Sequence, residues 1–242
     1  MGQETYTQQY SRRTETKTVS FGDNLVISEP SLAFLFEQQR AIVTPAVETC
    51  KTSAISDVCI RGFDIVGSLI MLAIASPVML LIAVLVRLTS PGPVLFKQRR
   101  VGKYGKIFVL YKFRTMVNDA EKNTGPVWAA KDDQRVTCLG KLLRRTRFDE
   151  FPQLFNVLQG DMSLVGPRPE RPYFVRRHRA LQGIRLAVKP GITGLAQVRA
   201  YYDLKPEHKL KYDYLYIQKR SFLFNTYILL KTIPVVLLKR GW

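Results

Sequence analysis

Cysteine and histidine are scarce in this chain of 242 residues, and Asp plus Glu number 19 against 37 Lys plus Arg. Cys50, Cys59 and Cys138 form neither a metal-ligating nor a redox spacing. Their odd number excludes a complete disulfide framework, and three scattered thiols read as packing residues in a reducing compartment. His178 and His208 stand apart without a catalytic partner, and His178 falls in the basic run Arg176-Arg177-His178-Arg179, which reads as a solvated face. The chain has no Asp-any-Asp pair, which removes the motif a metal-dependent nucleotide-sugar glycosyltransferase would use. No apolar run follows the first charges closely enough for a secretory signal peptide. Nor does any helix-turn-helix, zinc or RNA-binding motif give the basic residues a nucleic-acid role.

What is present is unevenly spread. Residues 1–60 carry five Lys and Arg against seven Asp and Glu, whereas residues 87–242 carry 31 against 11. So basic a body calls for an anionic partner: nucleic acid, an acidic membrane surface or a phosphorylated substrate. Residues 1–56 read as an appendage, with an opening whose polar composition is that of a disordered tail. Its apolar patch at residues 32–36 suits a small helix docking on the body or on another copy of the chain. Residues 65–86 then carry no charge, long enough to cross a bilayer core as a helix. Ser76-Pro77 lies near the middle of that run, where a proline removes one backbone hydrogen bond and favours a kink. Transmembrane helices accommodate such prolines, so from the residues alone a straight span is the first reading.

The chain is organised around residues 144–170, RRTRFDEFPQLFNVLQGDMSLVGPRPE. Asp149 and Glu150 stand together among arginines, where Asp149 is expected to cap a short helix that tolerates Pro152 in its first turn and stops at Gly160. A helix start beside Arg144, Arg145, Arg147 and Arg168 is a place to hold phosphate. A carboxylate there can be a covalent nucleophile, and its neighbour can hold a metal that neutralises phosphate oxygens. The bland alternative is that both acids merely favour the positive end of a helix. Against it, Pro167 and Pro169 restrict the backbone on either side of Arg168, which suits a preorganised anion clamp.

Upstream, residues 93–100 and 106–116 are β-rich runs flanking the glycine-containing turn 101–105, and read as a hairpin. Downstream, a helix is expected from about Leu139 and a basic helix-like run over 175–185. Residues 189–198 are expected to form a loop whose Gly191 and Gly194 could offer backbone amides to a phosphate. The last stretch, 212–242, mixes aromatic, aliphatic and basic residues in runs too short to cross a bilayer, and is expected to lie at the membrane surface.

From about Arg61 to the C-terminus these motifs, in this order, resemble the bacterial sugar transferase family, the monotopic polyprenyl-phosphate phosphoglycosyl transferases. The dyad with its Gly166-Pro167-Arg168-Pro169 tail carries the resemblance, together with Gln98, Arg99, Gly102, Gly105 and the run from Lys112 through Phe113, Arg114 and Thr115 to Met116. Asp133, Arg135, Thr137 and Gly140 add to it.

The resemblance implies an α+β, mainly helical fold: an N-terminal appendage (1–56), a re-entrant membrane helix hairpin broken at Ser76-Pro77 (57–90), and a compact catalytic domain with a β-hairpin and interfacial amphipathic helices (91–242). Both termini would then lie on the cytoplasmic face of a bacterial inner membrane, reversing the straight-span reading. It further implies transfer of a sugar 1-phosphate from a nucleotide diphosphate sugar, UDP-linked, to polyprenyl (undecaprenyl) phosphate, with release of UMP. Such a step initiates exopolysaccharide, capsule or O-antigen synthesis. By the same resemblance Asp149 is the nucleophile that carries the phosphosugar and Glu150 a ligand of Mg2+. Arg144, Arg168 and Lys189 contact substrate phosphate, and Gln153, Asn156, Asp161, Pro167 and Thr193 support the site. Partners would be the donor, the acceptor, anionic membrane lipids and a second copy of the chain, with no nucleic acid. Arg147-Phe148, Phe151, Lys189, Leu195 and Asn225 depart from the usual family residues. The contrary reading is a membrane-tethered nucleic-acid-binding or scaffold protein without catalysis.

Overall fold

A computed structural model describes residues 54–122, 125, 127, 133–199 and 206–237, together with a minimal antiparallel pair, β1 (Thr18–Val19) and β2 (Ile27–Ser28). The apolar patch at 32–36 lies outside the described residues. The first long element, α1 (Ala54–Thr89), runs 36 residues and contains the whole uncharged stretch. As a straight rod it would measure about 54 Å. Only a thin stripe of it is buried, at Ile60, Asp64, Ser68, Ile82 and Val86. Ile70, Ile74, Leu80 and Leu81 are exposed, the surface pattern of a helix made for lipid rather than water.

The expected break at Ser76-Pro77 is not a break in the helix: α1 continues through Pro77. Proline cannot donate to the carbonyl four residues back, which is that of Ala73. The Ser76 hydroxyl donates to that same carbonyl at 2.9 Å, so the bond lost at Pro77 is replaced one residue earlier. A serine before a proline therefore removes the need to unwind.

Both ends of α1 are tied to the body. Near its start, Arg61 donates to the carbonyls of Val157 (2.7 Å) and Leu158 (2.9 Å), while the Asp64 carboxylate accepts from the Ser163 hydroxyl and the Leu164 amide, both at 2.9 Å. At its end, the buried guanidinium of Arg114 donates to the carbonyls of Pro91 (2.8 Å) and Ser90 (2.7 Å), supplying donors just past the helix terminus.

The hairpin forms as expected: β3 (Leu95–Val101) pairs antiparallel with β4 (Ile107–Phe113), from Leu95 opposite Phe113 to Val101 opposite Ile107. Then come α2 (Cys138–Thr146), capped by the Thr137 hydroxyl accepting from the Gly140 amide, and α3 (Gln153–Gln159), which stops at Gly160 with φ +89°. Strand β5 (Ser163–Val165) is followed by α4 (Pro172–Arg177) and two short 3-10 segments, Arg179–Leu181 and Gly183–Ala187, so the basic run is helical only in pieces.

The loop expected at 189–198 is instead a strand and a helix. Strand β6 (Gly191–Thr193) pairs parallel with β5, and α5 (Leu195–Arg199) follows at once. Its glycines serve backbone contact rather than anion capture. A Cβ on Gly191 would sit 2.0 Å from the Gly166 nitrogen, one on Gly194 would sit 2.2 Å from the Gly166 oxygen, and the Gly191 amide already donates to Pro167. The chain closes with α6 (Pro206–Lys219) and α7 (Phe222–Leu237). Helix α7 is not wholly a surface element: Asn225 and Ile228 are buried, while Leu223, Leu230 and Ile233 are exposed.

The main core joins Leu110 of β4, Leu154 and Val157 of α3, Leu164 of β5, Tyr216 of α6 and Ile228 of α7. A second cluster matters more for position: Ile82 and Val86 of α1 pack with Phe113 of β4 and Leu143 of α2, and Phe148 leans against them. It fixes the residue just before the Asp-Glu pair against the C-terminal half of the apolar helix.

Candidate active site

Asp149 and Glu150 do not cap a helix. They occupy a 3-10 turn, Phe148–Glu150, between α2 and α3, and Pro152 rather than Asp149 stands at the start of α3. The turn is launched by Arg147 in the left-handed region (φ +63°), where a non-glycine residue is uncommon. That reversal redirects the chain after α2, and both carboxylates end up buried.

The turn alone does not hold the acids in place. The Glu150 Oε1 accepts from Arg168 at 2.7 Å and from Lys112 at 3.2 Å, with Arg147 at 3.8 Å; Lys112 lies 4.0 Å from an oxygen of Asp149. Lys112 is brought there by Asn156, whose side-chain oxygen accepts from the Tyr111 amide (3.1 Å) and whose amide donates to the Val109 carbonyl (2.7 Å). Asn156 thus pins β4 to α3 one residue short of the lysine. Arg144 donates to the Thr115 hydroxyl at 2.9 Å and lies within electrostatic reach of Asp149.

Two adjacent carboxylates in this setting behave oppositely. Burial, with Glu150 adding to it and Lys112 opposing, pushes the Asp149 carboxyl up to about 6. Glu150 meets the same burial, but Arg168, Lys112 and Arg147 outweigh it and hold that carboxyl well below the usual range. The cations are committed chiefly to Glu150. The Asp149 Oδ1 is buried without a hydrogen-bond partner among the described residues, as a carboxylate oxygen reserved for a reacting atom would be.

Of the other residues expected at the site, Pro167 flanks Arg168 and accepts from the Gly191 amide (3.0 Å). Gln153 is buried in the first turn of α3, its side-chain nitrogen without a partner among the described residues. The Thr193 hydroxyl lies 2.8 Å from that of Thr232 on α7. Lys189 is not brought to the dyad. Its charged neighbours are Arg61, Asp64, Lys103 and Asp161, at the N-terminal side of α1, and Asp161 belongs to that group as well. Sequence reasoning missed Lys112 as a site residue, although the run Lys112–Met116 was the signal for it; Arg147 it had grouped with the phosphate-holding arginines, and the structure sets it 3.8 Å from Glu150.

The donor atoms suit a hard cation. They are carboxylate oxygens, one of them unpartnered, and no third His, Cys, Asp or Glu joins them among the described residues. That set of one or two carboxylates is what magnesium takes when phosphate oxygens and water complete its shell.

Several known proteins are similar to this chain. Over 183 residues the chain is 45% identical to a UDP-N-acetylgalactosamine-undecaprenyl-phosphate N-acetylgalactosaminephosphotransferase of Aeromonas hydrophila, covering 73% of this chain and 43% of that protein. It is 35% identical over 243 residues to the undecaprenyl-phosphate galactose phosphotransferase of Salmonella typhimurium, covering 95% of this chain and 50% of the relative. The chain thus spans about half the length of these two. Over 192 residues it is 39% identical to the exopolysaccharide production protein PSS of Rhizobium leguminosarum, covering 72% of this chain and 92% of that one. The model of the bacterial sugar transferases matches residues 55–239, from the start of α1 past the end of α7. With the Asp149-Glu150 turn and its cations inside the matched region, the chain belongs to the bacterial sugar transferase family.

Proposed function

We propose that the protein transfers a sugar 1-phosphate from a UDP-linked sugar to undecaprenyl phosphate, through a covalent phosphosugar on Asp149, at the cytoplasmic face of a bacterial inner membrane. The observation that carries this reading is the buried, unpartnered Oδ1 of Asp149 beside a Glu150 already engaged by Lys112 and Arg168. Such an arrangement supplies an attacker and, around it, the positive charge a phosphoryl group requires.

In the first step an Asp149 oxygen attacks the sugar-linked phosphorus. The bond to the bridging oxygen breaks, and UMP leaves with that oxygen. In the second step an oxygen of undecaprenyl phosphate attacks the same phosphorus, the Asp149–phosphorus bond breaks, and an undecaprenyl diphosphate sugar forms. Neither step needs a proton transfer. Arg168, Lys112 and Arg144 offset the charge on the phosphoryl oxygens, and burial excludes water that would hydrolyse the intermediate. Magnesium, when bound, would be held by Glu150 and would supply further charge neutralisation.

The anchoring of α1 supports a re-entrant path in the membrane. Arg61 and Asp64 tie one end to the body and Arg114 ties the other, so a helix that bends at Pro77 without unwinding and returns to the face it entered keeps both anchors on one side. The packing of Phe148 against the Ile82–Val86 region puts the dyad beside the apolar helix, where a lipid phosphate would present itself. The similarity to undecaprenyl-phosphate transferases supports the acceptor.

The test uses detergent-solubilised protein with magnesium, undecaprenyl phosphate and a panel of UDP-sugars. UMP release with one donor is expected. Asp149→Asn should abolish it, and donor without acceptor should leave a phosphosugar mass on the wild-type chain only. Release of UDP, or activity surviving Asp149→Asn, would overturn the reading.

A further inference from the structure

Arg168 touches Glu150, but what holds Arg168 lies outside the dyad altogether. The guanidinium of Arg185, in the 3-10 segment Gly183–Ala187, donates through Nη2 to the main-chain carbonyl of Arg168 at 2.9 Å. The same guanidinium donates through Nε to Asp213 of α6 at 3.0 Å. Both Arg185 and Asp213 are buried, at 4% and 3% exposure.

The next carbonyl is gripped in the same way. Arg100 of β3 donates to the Pro169 carbonyl at 3.0 Å, and its charge is balanced by Glu170, which also accepts from Lys209 of α6 at 3.1 Å. The Val101 amide donates to the Glu170 carbonyl, completing a run of three held peptides.

A buried ion pair is a poor way to gain stability, because stripping water from two charges offsets most of their attraction. What the Arg185–Asp213 pair accomplishes is geometric. Pro167 and Pro169 fix φ on either side of Arg168, but proline leaves ψ free. The two arginine-to-carbonyl bonds remove that remaining freedom at Arg168 and Pro169. The Arg168 guanidinium can then reach Glu150 from one backbone orientation.

We infer that Arg185 and Asp213 are positioning residues for transfer, acting through the Arg168 carbonyl to hold the Arg168 guanidinium over the dyad. The inference rests on the function proposed above. It assigns to a buried pair, neither member of which was among the expected site residues, control of the charge the transition state meets.

The experiment measures UMP release as kcat and KM for the UDP-sugar in Asp213→Asn, Arg168→Ala, their combination, and the double replacement Arg185→Met with Asp213→Leu. The last variant removes both charges together but leaves the Arg168 carbonyl without that donor, so it should fold with its Tm lowered by no more than a few degrees. Loss of a group that orients a site residue typically costs about 10- to 100-fold, and kcat should fall by that factor in Asp213→Asn and in the double replacement. Because the pair acts through Arg168, adding Asp213→Asn to Arg168→Ala should produce no further loss. A double replacement that keeps the wild-type kcat would overturn the inference, as would losses that multiply in the combined variant. A wild-type protein releasing no UMP would overturn the proposed function and the inference resting on it; an active wild type with a wild-type-like double replacement overturns the inference alone.

Discussion

Lys112 has the position of a keystone between two carboxylates, 3.2 Å from Glu150 and 4.0 Å from Asp149. Replacing it with methionine keeps the stem and removes the charge, leaving Glu150 with Arg168 and Arg147 only. Charged hydrogen bonds of this kind are worth about 2 kcal/mol. Lys112→Met is therefore expected to lower unfolding free energy by about that amount in detergent and to cut UMP release at least tenfold. A variant as active as the wild type would mean the ammonium only fills space. Glu170 offers a separate test by pH. Burial opposes its ionisation, but Lys209, Arg185 and Arg100 prevail, so its carboxyl is held below the usual range. A depressed pKa adds stability above the ordinary value of about 4.3 and loses it as pH falls through the folded value. Glu170→Gln should thus be less stable than wild type at neutral pH, and the gap should narrow as unfolding curves are taken below about pH 4. An unchanging gap would contradict that linkage.

At the scale of elements, the end of α1 depends on one side chain supplied by β4 and the residue after it. Arg114 donates to Ser90 and Pro91 just past the helix, and Gly92 (φ +117°) gives it room: a Cβ there would lie 2.2 Å from an Arg114 nitrogen. Arg114→Ala would strip donors from part-buried carbonyls and empty the space of a buried side chain, at a cost of about 2 kcal/mol. Gly92→Ala is expected to cost a comparable amount, since it both forces a strained φ and displaces the guanidinium. Thermal unfolding in detergent measures both, and an unaltered Tm in either would show that α1 is held by apolar packing alone. The turn between α2 and α3 is the counterpart at the site: Arg147 reverses the chain, Phe148 anchors it against Val86 and its neighbours, and the acids follow.

For the whole molecule, the question is which side of the membrane each end of α1 occupies. A straight helix of about 54 Å exceeds a hydrocarbon core of roughly 30 Å, leaving its two ends on opposite sides if it crossed. Yet contacts from Arg61, Asp64 and Val86 all reach one body. Thr52→Cys, in a background with Cys50 and Cys59 changed to serine, should remain unlabelled by an impermeant maleimide in cells with an opened outer membrane. Labelling from the periplasm would exclude the re-entrant path. The exposed apolar surface of α1 also predicts that about 1 M salt, which screens headgroup attraction, will not release the protein from membranes, whereas detergent will.

The long apolar helix, the hairpin around residues 102–106, the stop at Gly160 and the acidic pair among arginines could all be read from residue order. Each is set by neighbours a few positions away, through periodicity, backbone freedom or turn chemistry. Residue order did not reveal that Lys112 would sit on Glu150, 38 positions distant, or that Lys189 would join Arg61 instead. It also misread the Gly191 amide as free for an anion, because a glycine that lets two backbones meet looks the same as one that offers its amide. The path through Ser76-Pro77 turned on a hydroxyl reaching one carbonyl. Local chemistry in the sequence determined which elements form and which acids stand side by side. Only the tertiary structure decided which cations reach those acids, because such pairing depends on how elements pack and no periodicity encodes it.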